Sequence, residues 1–250
     1  MSEKIKLKYL KPFGPGIVSG FLPEDILDNF LKLSDDVISN KLKKWNYQLV
    51  GRIDDEWKIP ELLYKDYNIS NFLDSLVHEY ANCWLNDTRL IDSYRGFHLR
   101  DIDINVKRGD GWINYMTERE YNPVHLHNHC SISTIFYLDD YTGDESIVTK
   151  DTSIADNYGN TICEDGYTIF INGSFPVGEV NPGPTRIKEL GSSITNLIPR
   201  THFSVKPKKG LFLIFPSWLL HMVNPFKGDG KRVTSSINYG VKYSVKSNNV

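Results

Sequence analysis

The stretch 209-KGLFLIFPSWLLHMVNPFKGDGKRVTSSIN-238 sets a strand, a turn, a histidine, a loop and a second strand in close succession. Residues 211-LFLIFP-216 are apolar on both faces, as in a central strand covered by a layer on each side. Pro216 ends the run, a short turn follows, and His221 comes next. The loop 224-NPFKGDG-230 has turn composition and leads into 232-RVTSSINYGVKYSV-245. There Val233, Ile237, Tyr239, Val241 and Tyr243 share one face, and Arg232, Thr234, Ser236 and Asn238 share the other. A polar face led by an arginine inside a barrel calls for an anion, because an unpaired buried charge is costly. A carboxylate bound bidentately is the natural partner.

The two-residue period extends upstream. In 101-DIDINVK-107, Ile102, Ile104 and Val106 alternate with polar residues, as in a half-buried strand. Before about residue 95 the period is helical instead. In 23-PEDILDNFLKLSDDVIS-39, Ile26, Leu27, Phe30, Leu31, Val37 and Ile38 form one stripe, with Pro23 suited to the first turn. In 70-SNFLDSLVHEYANCWLND-87 a wide stripe from Phe72 to Trp84 predicts a helix packed on a sheet, with Ser70 as its N-cap. Helices followed by many strands predict an α+β fold, an antiparallel sandwich or jelly roll behind a helical layer. The segment 141–200 is rich in Gly, Pro, Asn, Asp and Ser, with one strand-like stretch, 167-YTIFING-173. It reads as a long excursion from the barrel.

The second chemical cluster is 121-YNPVHLHNHCSISTIFYLDD-140. On a strand, His125 and His127 point to one face, and two imidazoles at that spacing reach one metal ion. His129 falls in 128-NHCS-131, which reads as a turn. His78 borders the apolar stripe of its helix and is expected in solvent, while His98 and His202 have no partner visible in sequence.

The 250 residues carry 40% hydrophobic and 24% charged residues, enough to bury a sizeable core. A formal net charge of -2 gives no general attraction for nucleic acid or membrane. Lysines in 206-KPKKG-210 and 227-KGDGK-231 read as solvated turns rather than a phosphate track. No apolar run approaches a membrane span, and the N-terminus lacks a signal-peptide core. Cys83, Cys130 and Cys163 have neither disulfide-framework nor C-x-x-C spacing, so a cytoplasmic setting is expected.

Taken together, H-x-H on one strand, Tyr137 closing the next, a distal His221 and then Arg232 resemble the 2-oxoglutarate- and iron(II)-dependent oxygenases. More narrowly, the chain is similar to a subgroup frequent in phage and marine bacterial genomes. That subgroup shows W-x-N, H-x-H, a following Y-L strand, G-x-L-x-x-F-P-S-x-L-x-H and R-x-x-x-S-x-N. Here these are Trp112 and Asn114, His125 and His127, 133-STIFYL-138, 210-GLFLIFPSWLLH-221 and 232-RVTSSIN-238, with 12-PFGPGIVSGFLPEDILDNF-30 as a similar opening. The likeness leaves out much of 141–200.

The resemblance implies a double-stranded β-helix (jelly roll) with N-terminal helices packed against one sheet. It implies one domain over 1–250, with a helical part at 1–95, a jelly-roll core at 96–248 and an insertion at 141–200 facing substrate. Trp112 or Trp218 would line the pocket. Fe(II) and the cosubstrate 2-oxoglutarate are implied, with hydroxylation of a protein side chain, amino acid, nucleobase or small metabolite and release of succinate and carbon dioxide. A phage-encoded chain would act in the host cytoplasm. His125 and His221 would be metal ligands. Arg232 and Tyr137 would bind the distal carboxylate, Ser236 would add a hydroxyl contact, and Asn114 or Tyr115 would reach the proximal end.

The wider family carries H-x-D, whose carboxylate completes a two-histidine, one-carboxylate triad. Here His127 stands at that position. Three imidazoles bind Fe(II) but also suit Zn(II), Ni(II) or Cu(II), and Asp139 or Asp140 is an alternative third ligand. Two other readings compete with the oxygenase. Cupin metalloenzymes also pair H-x-H with a later histidine, but usually carry a Glu shortly after it, and 128-NHCSIST-134 has no acid. A non-catalytic jelly-roll module is the other.

Overall fold

The computed structural model describes residues 6–11, 16–48, 51–87, 102–140, 165–171, 173 and 202–245. The N-terminal part holds β1 (Lys8–Leu10), β2 (Ile17–Phe21), α1 (Glu24–Ser39), β3 (Asp55–Lys58), α2 (Glu61–Asp66) and α3 (Ser70–Asp87). Then follow β4 (Ile102–Met116), β5 (Asn122–His125), β6 (Ile132–Tyr137), β7 (Thr168–Ile171), β8 (His202–Val205), β9 (Leu211–Pro216), β10 (His221–Val223) and β11 (Arg232–Val245).

These strands form a seven-stranded sheet, β1-β2-β9-β6-β11-β4-β3, and a four-stranded sheet, β5-β10-β7-β8. From β4 to β11 the chain switches repeatedly between the sheets, and every described pairing is antiparallel. The order β9-β6-β11-β4 in one sheet and β5-β10-β7-β8 in the other is a double-stranded β-helix. Its spine is the β4–β11 ladder, which runs from Arg232↔Met116 to Val245↔Ile102 with one irregularity between Ile237 and Tyr239.

Alternation divides the large sheet into two chemistries. Ile113, Phe136, Phe212, Ile214, Val233 and Ile237 pack outward with Phe30, Leu33 and Val37 of α1 and Leu73, Val77 and Tyr80 of α3. Phe30 stacks on Phe136 with ring centroids 4.8 Å apart. Inward, Ile135, Tyr137, Leu213 and Phe215 meet Phe170 of the small sheet. Each fully buried side chain of this size contributes roughly 1.5–3 kcal/mol. Arg108 of β4 ties α2 and α3 to the sheet, bonding Glu61 at 3.1 Å and Asp74 at 2.6 Å.

Three expectations are corrected. The part before residue 95 is not only helical, because β1, β2 and β3 extend both edges of the large sheet. Ser70 does not cap α3 from outside. It is the first helical residue, and its hydroxyl accepts from Arg108 at 2.9 Å. Finally, β7 falls inside the segment taken as an excursion, yet it is a central strand of the small sheet with Thr168 and Phe170 fully buried. The rest of 141–200, apart from 165–171 and 173, lies outside the described residues, as does His98. Among the described residues, no helix is long and apolar enough to cross a membrane.

Candidate metal centre

His125 closes β5, and its Cα partner on β10 is His221. The two rings lie 4.2 Å apart between centroids. His127 sits just past β5, where its main-chain N–H donates to Ser217 O at 2.9 Å. Ser217 in turn donates its hydroxyl to Cys130 O at 2.7 Å, so the turn after the histidines is fastened to the turn before His221. The His127 ring is 5.1 Å from each of the other two, and its Nε2 is 3.2 Å from His221 Nε2. One ligand atom from each of the three lies within 4.8 Å of the others.

Two of the rings are oriented by carbonyls. His125 Nδ1 is 2.7 Å from Pro123 O, and His221 Nδ1 is 2.8 Å from Leu219 O. Each contact puts the proton on Nδ1 and turns the Nε2 lone pair toward the cluster. Burial disfavours the imidazolium at all three. It pushes His127 down to about 3, helped by His125, and His221 well below its ordinary value, helped by both neighbours. His125 is lowered by burial against the opposing Pro123 contact. Three neutral imidazoles converging on one point are a ready nitrogen ligand set for a divalent transition metal.

No carboxylate joins this group among the described residues. Asp139 Oδ1 accepts the Val233 N–H at 2.9 Å, and Asp140 Oδ1 accepts the Lys209 N–H at 3.0 Å. Each spends one oxygen at the exit of β6, with Asp139 Oδ2 buried without a hydrogen-bond partner, and neither acid belongs to the histidine cluster, which corrects their candidacy as third ligand. His129 is exposed on a left-handed turn with φ 63°. His78 is exposed on α3, and His202 is exposed on β8.

Further along the same interior lies Arg232, 2% exposed. Its Nε donates to Gly166 O at 3.0 Å, an Nη donates to Thr168 Oγ1 at 2.9 Å, and its Cζ is 5.4 Å from the Tyr137 ring centre. Tyr137 donates its hydroxyl to the same Thr168 Oγ1 at 2.7 Å. No carboxylate lies within ion-pair distance of Arg232 among the described residues, and burial lowers its guanidinium from the ordinary value. Thr168 and Phe170 are both on β7, and Phe170 is the Cα partner of His221. The arginine end is thus one same-face step, about 7 Å of strand, from the histidine end. Such an arrangement suits a short dicarboxylate chelating at one end and ion-paired at the other.

The remaining candidates divide. Asn114 faces inward. Tyr115 lies on the opposite face, packed toward the helices with Lys231 Nζ 5.7 Å from its ring, and so is corrected as a cosubstrate contact. Ser236 shares the inner face with Arg232, but its Cα partner is Trp112, toward the histidine end. Trp112 packs on His127, whereas Trp218 packs edge-on against Trp84 of α3. Sequence reasoning missed two residues. Thr168 was visible only as the polar member of a Thr168/Phe170 face. Glu56 gave no signal, being one acid in the short run 55-DEWK-58.

A jelly roll with a convergent triad of imidazoles and a buried arginine beyond it carries donors suited to a divalent metal and to an anion. Residues 188–238 match the family model described as "Putative 2OG-Fe(II) oxygenase". That match, confined to this stretch, makes the chain similar to the 2-oxoglutarate- and Fe(II)-dependent oxygenases there, and the strand order and the triad are compatible with it. No curated protein matches it by sequence. Among solved structures, a prolyl-4-hydroxylase from Pseudomonas putida is 12% identical, covering 93% of this chain and 91% of its own, with a TM-score of 0.46. A viral collagen prolyl hydroxylase from Paramecium Bursaria Chlorella virus-1, in complex with 2-oxoglutarate, is 13% identical over 93% and 94%, with a TM-score of 0.45. HygX from Streptomyces hygroscopicus, with nickel and 2-oxoglutarate bound, is 14% identical over 90% and 82%, with a TM-score of 0.46. Likeness of that order transfers neither substrate nor residue roles.

Proposed function

We propose that the chain is an Fe(II)- and 2-oxoglutarate-dependent hydroxylase of the H-x-H subgroup, with His125, His127 and His221 as the metal ligands. The observation that carries this reading is the pairing of three convergent imidazoles with a buried arginine that has no carboxylate within ion-pair distance among the described residues, Asp139 acting on it only from further off. Arg232 is the ion-pairing group for the distal carboxylate of 2-oxoglutarate. Tyr137 and Thr168 present hydroxyls beside it. Fe(II) and 2-oxoglutarate, when bound, supply oxidative chemistry that couples loss of carbon dioxide to oxygen insertion at a C–H bond.

The chain's own contribution is positional and electrostatic. Pro123 and Leu219 carbonyls hold two ligand rings in the metal-ready tautomer. Phe170 and Phe215, with ring centroids 6.0 Å and 4.9 Å from His221, wall the metal side with apolar surface and limit water. A triad of three neutral ligands would leave the ion's full charge to be offset by other ligands, which favours an anionic, carboxylate-bearing cosubstrate. The absence of an acid after H-x-H and the seating of Arg232 speak against a cupin. Anaerobic loading with Fe(II), then oxygen and 2-oxoglutarate, tests the reading through succinate. Succinate that depends on both additions and is lost in Arg232→Ala supports it, and succinate from neither sinks it.

A further inference from the structure

The three histidines are not held alike. His125 and His221 rest Nδ1 on main-chain carbonyls, whereas the ring nitrogens of His127 meet only His221 Nε2 among the described residues. What bears on His127 instead is the Trp112 indole, 5.6 Å away between ring centroids at an interplanar angle of 38°. Trp112 is itself fixed. Its Nε1 lies 3.2 Å from the Asn114 amide oxygen, and the Asn114 amide nitrogen lies 2.7 Å from Glu56 Oε2, in the orientation that gives every donor an acceptor. The reverse orientation would set the amide N–H against the donor-only indole N–H, so the indole and the Glu56 acceptor together fix which way Asn114 points.

Glu56 comes from β3, outside the eight strands of the jelly roll, where it is the Cα partner of Asn114. It is 2% exposed, and no cation lies within ion-pair distance among the described residues. Burial pushes its carboxyl up to about 8, and an amide N–H donating to Oε2 favours the charged form and opposes that rise. A buried acid on the edge strand has no part in the roles assigned above. Its contact leads by two further contacts to the one histidine of the cluster whose ring rests on no main-chain carbonyl among the described residues.

We infer that Glu56 is a positioning residue for the third metal ligand: it orients the Asn114 amide, the amide orients the Trp112 indole, and the indole sets the ring plane of His127. This rests on the reading of His127 as a ligand. The device replaces the carbonyl anchor that the other two histidines have. It also explains why an otherwise costly acid is buried at this register position.

Co(II) titration of the full chain, followed by its visible absorption and by thermal melting of each apo variant, tests the relay. Glu56→Leu should bind Co(II) about tenfold or more weakly with an altered spectrum, whereas Glu56→Gln, keeping an acceptor of the same shape, should stay within about twofold. In a Trp112→Phe background, Glu56→Leu should cost nothing further, because the relay is already cut. If Glu56→Leu does not fold, Asn114→Ala severs the middle link and takes its place. A lowered melting temperature with unchanged Co(II) affinity and spectrum overturns the inference. So does an equal loss in Glu56→Gln, or a full loss persisting in Trp112→Phe. His127→Ala binding Co(II) as tightly as the native chain overturns the ligand reading itself, a result separable from all of these.

Discussion

His125 and His221 stand directly opposite each other in the β5–β10 ladder, each with Nδ1 on a carbonyl two residues earlier in the chain. The same local device, used twice across one ladder, presents two Nε2 lone pairs to one point. His125→Ala and His221→Ala should each abolish stoichiometric metal content after anaerobic Fe(II) loading. His129→Ala should leave it unchanged, because that side chain is exposed on the turn beyond the cluster. Metal analysis of the desalted proteins reads both outcomes.

Proton competition at this cluster should be weak. Metal and proton compete for the same lone pairs, and all three imidazoles are lowered by burial, His127 to about 3. A lowered value means that the neutral form survives to lower pH. Between pH 7.5 and 5.5, roughly, the Co(II) dissociation constant should therefore change less than for a site of unshifted imidazoles, each of which, at about 6.5, would lose about tenfold by the lower limit. Isothermal titration at several pH values reads the slope. A loss of about tenfold for each of three ligands would contradict the burial argument.

At the other end of the pocket, Arg232 and Tyr137 both donate to the Thr168 hydroxyl. Thr168→Val keeps the shape but leaves two buried donors without their acceptor, which should cost about 1–3 kcal/mol in denaturant unfolding. It should also weaken 2-oxoglutarate binding. Arg232→Ala should weaken 2-oxoglutarate binding far more while leaving Co(II) affinity close to native. Equal loss of both ligands, or of neither, would count against the carboxylate role.

Glu56 should make stability fall with pH. Its carboxyl is raised from 4.5 to about 8 in the folded chain, so between those values folding takes up a proton that the unfolded chain has released. The contribution is fully present below the lower value, is lost as pH rises through the upper one, and is then constant. The slope is at most about 1.4 kcal/mol per pH unit. Glu56→Gln cannot ionise, so its stability advantage over the native chain should widen from pH 5 to pH 8, roughly, in urea unfolding of the apo protein. Parallel pH profiles for the two would remove the argument.

Much of the candidate site is legible because it depends on relations within single strands. The two-residue period sets Arg232, Thr234 and Ser236 on one face of β11, and the H-x-H spacing turns His125 and His127 the same way. It divides Asn114 from Tyr115 equally firmly, although not which of them faces the pocket. Asp139 and Asp140 were plausible ligands by chemistry and nearness in sequence. They stand apart from the histidine cluster, each with one oxygen accepting a main-chain N–H, of Val233 and Lys209, a placement that no local pattern records.

The sequence by itself determined the α+β class, the helical layer, the strand faces and the presence of residue types suited to a metal and an anion. Only the tertiary structure decided which strands became neighbours and in what register. That pairing put His221 opposite His125, brought Thr168 from a glycine- and proline-rich segment under Arg232, and laid Glu56 of an N-terminal strand beside Asn114. The physical reason is that side-chain alternation is a local steric property of the backbone. Strand order and register are fixed instead by burial of whole faces and by ladders closed between distant parts of the chain.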